Sequence, residues 1–71
     1  IVEAKANERI AGQSIVDLDI RAHYGINIIA IKRDKDVIIS TDPNMTIELG
    51  DILIMIGHDN ELNRFAKTLV H

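Results

Sequence analysis

Two segments of this 71-residue chain, Ile26-Asn27-Ile28-Ile29-Ala30-Ile31 and Ile52-Leu53-Ile54-Met55-Ile56, are apolar on both faces of any strand they form. Successive side chains of a strand point to opposite sides of the sheet. In the first segment Ile26, Ile28 and Ala30 then lie on one face, and Asn27, Ile29 and Ile31 on the other. A chain this short has few elements with which to cover two faces, and it buries only about 60% of its unfolded surface. Strands are the expected use of its 14 isoleucines, because a side chain branched at Cβ fits a pleated sheet better than a helix. Cysteine is absent, so neither disulfides nor a thiolate metal site can add stability. A second copy of the chain is therefore expected on the uncovered face, in a two-fold homodimer.

The remaining segments surround these strands. Val2 to Ala6 reads as short and extended, and Gly12 ends the connection after it. Ser14-Ile15-Val16-Asp17 has the form of a capping box, opening a short helix over about 14–19 with Ile15 and Leu18 on one side. Tyr24-Gly25 marks a turn. Val37 to Ser40 follows a charged tip, Lys32 to Asp36, so it forms a hairpin with the strand before it, although the tip lacks glycine. Thr41-Asp42-Pro43-Asn44 is a loop and Glu48-Leu49-Gly50-Asp51 a tight turn. Asp59 or Asn60 caps a final helix, with Leu62, Phe65, Ala66 and Leu69 at helical spacing. The fold class is α+β: a small mixed sheet of about four to five strands, a short internal helix and a C-terminal helix.

Several functions are excluded on these terms. The longest apolar run, Ile52 to Ile56, has five residues, far below the ~18 of a spanning helix, so no direct membrane insertion is expected. Eight basic against 11 acidic residues leave a net charge of −3, with almost no aromatic stacking platforms. Nucleic acid is not an expected partner. Ser14, Ser40, His23, His58 and His71 show no spacing that suggests a nucleophilic triad, so no catalytic residue is assigned and the chain is not read as an enzyme. Asp17-x-Asp19 and Asp34-x-Asp36 do not continue into a calcium loop, and the four glycines stand singly, so no metal site and no phosphate loop are assigned. The chain begins at Ile1 with neither cysteine nor a visible export signal. It reads as a fragment of a longer chain in the reducing cytoplasm.

Leu18 to Ile31 mixes a carboxylate, a cation and an amide with a run of stiff aliphatics. An anionic ligand with a flat apolar part wants that mixture: arginine offers forked donors, asparagine donates and accepts, and isoleucines wall a ring. The alternative pairs Arg21 with Asp17 or Asp19 and puts the aliphatics in the core.

Gly12-Gln13-Ser14-Ile15, Leu18-Asp19-Ile20-Arg21 and Tyr24 through Arg33, followed by Pro43, Leu49-Gly50-Asp51-Ile52-Leu53, Ile56-Gly57 and a helix with Leu62 and Phe65, together resemble the RCK C-terminal (TrkA-C) domain. That domain is the regulatory lobe of cytosolic gating subunits of bacterial potassium transporters and channels. The resemblance covers nearly the whole chain. Ile15 and Ile20 stand where leucine is common, and the hairpin tip lacks the usual glycine. It implies that residues 1–71 form a dimeric lobe behind an upstream Rossmann-type RCK domain. That assembly would be a ring docked on a membrane channel subunit at the inner face of the membrane. Within the family the chain looks most like the Ktr-type regulators, whose lobe binds cyclic di-AMP at its dimer interface to control potassium uptake. Carried over by position, the resemblance implies a ligand set of Ile15, Asp19, Ile20, Arg21, Asn27, Ile28, Ile29 and Pro43. Arg21 would face a phosphate, Asp19 and Asn27 would bond polar edges, and Ile15, Ile28, Ile29 and Pro43 would bracket adenine. A lobe that serves only dimerisation and assembly, with no ligand or a different small anion, is the other reading.

Overall fold

The computed structural model describes residues 1–39 and 42–70, with side chains up to residue 67. Its elements are β1 (Val2–Lys5), α1 (Ile15–Leu18), α2 (Ile20–Tyr24), β2 (Asn27–Arg33), β3 (Asp36–Ile39), β4 (Ile52–Ile56) and α3 (Asp59–Val70). The four strands form one sheet in the order β1-β4-β2-β3. The α+β class holds, but every strand pair is antiparallel, which corrects the expected mixed sheet. The helical crossover does make β1 and β2 run the same way, as a long connection of that kind should. β4 slots between them and leaves no parallel neighbours.

Helical structure also differs from expectation. Instead of one helix ending near residue 19, two short helices meet at Asp19. α3 begins at Asp59, with the His58 carbonyl accepting the amides of Glu61 and Leu62 at 3.1 and 2.9 Å. Both candidate caps, Asp59 and Asn60, thus lie inside the helix. Ser40, Thr41 and His71, and the side chain of Leu69, fall outside the described residues. At the hairpin tip Arg33 pairs with Asp36, and Asp34 takes φ 55 in place of glycine. Aspartate is among the few residue types that tolerate this region.

The alternation expected for β2 breaks inside the strand. Ile28 pairs with Met55 and Ala30 with Ile54, so Ile29 is an extra, bulged residue. Ile28 and Ile31 consequently share the inner face, while Ile29 and Ala30 share the outer one. Ile26, Ile28 and Ala30 do not line up on one side as a regular strand requires.

The inner face packs Ile31, Leu53 and Met55 against Ile10, Ile20, Ile26, Ile47, Leu62 and Phe65. Each of these large side chains contributes about 1.5–3 kcal/mol on full burial. Phe65 meets the Tyr24 ring edge-on at 5.2 Å, and the Arg64 guanidinium lies 4.8 Å over that same ring. The outer face carries Ile54, Ile56, Ile29, Ala30, Val37 and Ile39, of which Ile39 is 71% exposed. A Lys32–Glu3 ion pair at 3.4 Å crosses one end of it. Among the described residues no helix is long and apolar enough to cross a membrane.

Candidate ligand-binding site

α1 is held from outside itself. Its four residues bury no side chain, and a helix that short has no independent stability. The segment leading into it pairs with residues 46 and 47: Gly12 N–H donates to Ile47 O at 2.8 Å, and Ile47 N–H returns to Gln13 O at 2.9 Å. The first-turn amides then find partners in the neighbouring loop. Ile15 N–H donates to Met45 O at 3.2 Å and Val16 N–H to Pro43 O at 2.8 Å. Ser14 Oγ accepts from Asp17 N–H at 3.1 Å, which is half of the expected capping box. Asp17 makes no return bond among the described residues.

Asp19 ends α1 and begins α2 with φ 50 and ψ 41. α2 stops at Gly25, where φ is 70, and a Cβ added there would come 2.8 Å from Glu61 Oε2. The positive φ is what calls for glycine at that corner, since the Glu61 side chain could swing aside. β2 leaves from it.

These segments enclose a cavity of about 280 Å³ lined by Ile15, Val16, Asp19, Ile20, Arg21, Ile26, Asn27, Ile28 and Pro43. Seven of the eight expected residues meet there. Ile29 does not, because the bulge turns it to the outer face. Val16 and Ile26 join the lining without having been expected. Val16 follows Ile15 on the first turn and is an exposed apolar residue, an exposure that the sequence does not reveal. Arg21 makes no ion pair or hydrogen bond through its side chain among the described residues, with Asp17 and Asp19 included. Asp19 instead lies 4.0 Å from His23 Nε2, both groups being well exposed.

A larger opening of about 460 Å³ lies across α2, among Ile10, Leu18, Ile20, His23, Tyr24, Arg64 and Phe65. Its arginine is committed: Arg64 covers the Tyr24 ring and donates to the His23 carbonyl at 2.6 Å. Only the smaller cavity combines an apolar wall with an arginine that has no protein partner among the described residues.

One further cluster supports the site from behind. Asp51 is 2% exposed and receives a fork from Arg33, Nε to Oδ1 at 3.0 Å and Nη2 to Oδ2 at 2.8 Å. Glu48 N–H adds a third bond to Asp51 at 2.9 Å. Arg33 also reaches Thr46 O at 3.1 Å and Glu48 Oε2 at 2.8 Å. The Arg33 fork, helped by the Glu48 amide, holds the Asp51 carboxyl below its ordinary range despite burial, and raises the guanidinium in turn. This ties the 46–51 segment, and with it the outer support of α1, to β2.

A four-stranded antiparallel sheet with one apolar face uncovered, a bent helix pair and an apolar cavity at its edge define a small α+β lobe. The chain belongs to the TrkA-C domain family, whose model matches residues 1–70. It is 52% identical over its full length to the Ktr system potassium uptake protein C of Bacillus subtilis (strain 168), covering 32% of that protein. It is similar to the KtrA RCK C domain solved in complex with cyclic diadenosine monophosphate, with a TM-score of 0.92 and 73% identity over 94% of this chain and 79% of that one. The RCK_C domain dimer of S. agalactiae BusR in complex with c-di-AMP is also similar, with a TM-score of 0.86 and 27% identity over 97% and 93% of the two chains. The chain spans about a third of the length of the Ktr proteins it matches.

Proposed function

We propose that this lobe binds cyclic di-AMP across a two-fold dimer and passes its occupancy to a potassium-uptake complex. The observation that carries the reading is Arg21, without a protein partner among the described residues at the edge of an apolar cavity. The ligand is itself two-fold, with two phosphates and two adenines, and a two-fold dimer supplies one Arg21 for each phosphate. Ile15, Ile28 and Pro43 flank the ring and hold it by dispersion, while Asp19 and Asn27 bond its polar edges. Ile29 stands on the dimer-facing surface in this arrangement. One protomer offers about 280 Å³ and a pair twice that, within the ~300–1,000 Å³ of small-molecule sites. The similar KtrA and BusR lobes were solved with this ligand, which supports the same choice here.

The wider assembly belongs to the same proposal. An upstream Rossmann-type RCK domain builds the ring, and a membrane channel subunit receives the signal at the cytoplasmic face. The lobe acts by regulation rather than catalysis. Its net charge of −3 gives it little pull on a nucleic-acid backbone.

Two measurements check the core of this reading. Sedimentation at micromolar concentration should show a dimer joined through the apolar outer face, with on the order of 800 Å² buried per protomer. A species of only 7.9 kDa would count against it. Calorimetric titration with cyclic di-AMP should saturate at one ligand per two chains. At a hundred-fold excess over Kd the folded dimer gains ~2.7 kcal/mol, visible as a higher Tm. A dimer that gives neither heat nor a thermal shift would return the assembly-only reading.

A further inference from the structure

We infer that Asp19 is a positioning residue whose left-handed backbone sets the angle between α1 and α2, and through it the opening of the 280 Å³ cavity. The inference rests on the ligand-binding reading above. The chain places the two walls of the cavity on either side of this one residue: Ile15 and Val16 on α1, Ile20 and Arg21 on α2. Its N–H donates to Ile15 O at 3.2 Å, and its carbonyl accepts from His23 N–H at 3.0 Å, so both helices terminate on its peptide groups. Its side chain does little of this work. Asp19 makes no side-chain cap bond to α2, and its contact with His23 is 4.0 Å between two exposed groups. Exposed pairs of that kind contribute little.

The geometry therefore depends on tolerance of φ 50, where a Cβ crowds the following carbonyl. Glycine takes this conformation freely, asparagine and aspartate take it at reduced cost, and alanine resists it. With four and five residues neither helix has stability of its own, so a change at the joint is opposed only by the 43–47 segment that holds α1 and by the burial of Ile20.

Glycine and alanine at position 19 separate backbone from carboxylate, because both remove the carboxylate and only alanine resists the conformation. Hydrogen exchange at the amides of residues 19 and 23 should be about ten-fold faster in Asp19→Ala than in Asp19→Gly. Asp19→Asn should keep protection at the wild-type level. Affinity for cyclic di-AMP should follow, with Asp19→Ala about three-fold or more weaker than Asp19→Gly as the competent arrangement becomes less populated. Equal protection in the alanine and glycine variants would overturn the inference. So would equal affinities beside unequal protection. A wild-type chain that does not bind cyclic di-AMP would sink the ligand reading alone, and the exchange comparison would still decide whether the backbone at 19 sets the joint.

Discussion

Replacing Arg21 with alanine should weaken cyclic di-AMP binding by at least a hundred-fold while leaving the fold and the dimer in place. A charge-assisted hydrogen bond is worth roughly 1.5–3 kcal/mol. The substitution removes it from both protomers at once, and each 1.4 kcal/mol is a factor of ten. Little structural cost should accompany the loss, because the guanidinium supports no protein group among the described residues. Arg21→Lys should also lose much of the affinity, since an ammonium cannot reproduce a planar fork. Asn27→Ala should cost less, as its amide bonds an uncharged edge. Melting temperature and affinity measured on the same variants test this directly. An Arg21→Ala chain with unchanged affinity and a lower Tm would mean that the arginine is structural after all.

The opposite pattern is expected at Asp51. Arg33→Met leaves the buried Asp51 carboxylate without its partner, at a cost of about 3–5 kcal/mol, whereas Asp51→Asn leaves a partly exposed guanidinium still paired with Glu48 and should cost less. A chain of this length has in total only about 4–11 kcal/mol of stability at ~0.05–0.15 per residue, so Arg33→Met should be largely unfolded or melt far earlier, and Asp51→Asn should melt earlier by a smaller margin. Pairing Arg33→Met with Asp51→Leu should recover most of the loss, but not the bond that Asp51 accepts from the Glu48 amide. Acid should act through the same carboxyl. Its pKa is lowered in the folded state, so its contribution is complete above the unfolded value near 3.9 and disappears as pH falls through the lower folded one. Arg33 is raised instead, and its contribution would fade only in strong alkali. Urea denaturation followed from pH 6 down to 2.5 should show wild-type stability falling below about pH 4. A conservative double variant without the carboxyl should lack that component. An identical acid limb in the two chains would show that Asp51 is not its source.

How much of this could be read from residues alone differs by element. Runs of isoleucine announced β2 and β4, and the spacing of Leu62 and Phe65 announced α3. The strand order was hidden, because the insertion of β4 between β1 and β2 is settled by tertiary packing and leaves no local mark. α2 escaped notice since Arg21-Ala22-His23-Tyr24 has almost no apolar period and Ile20 alone is buried in it. The break at Asp19 is invisible too, for a non-glycine residue at positive φ gives no compositional signal. The cavity lining comes from three separated stretches, around 15–21, 26–28 and 43, which no spacing rule joins. A family resemblance supplied seven of its members together, and the eighth residue it named, Ile29, lies outside this lining because the bulge turns it to the outer face. Arg33 and Asp51, 18 positions apart, each look like ordinary hairpin and turn charges until the fold brings them together.

That extra residue at Ile29 divides β2 into two reading phases. In an unbroken strand, residues 27, 29 and 31 would share one side. Here Asn27 belongs to the outer phase and Ile31 to the inner one, with Arg33 following Ile31 toward its buried partner. The cavity-lining front of the strand and its core-facing rear are thus indexed independently of each other. Excision of the single residue at 29 would leave plain alternation with Asn27 still outward and Ile28 still inward, whereas flattening the bulge with all seven residues kept would exchange inside for outside over half the strand, sending the Asn27 amide toward the oily interior and Ile28 out of it. For the same reason, a chimera spliced within this strand has to conserve the count on each side of the bulge, and two parents that match in length yet differ in its position would not be interchangeable.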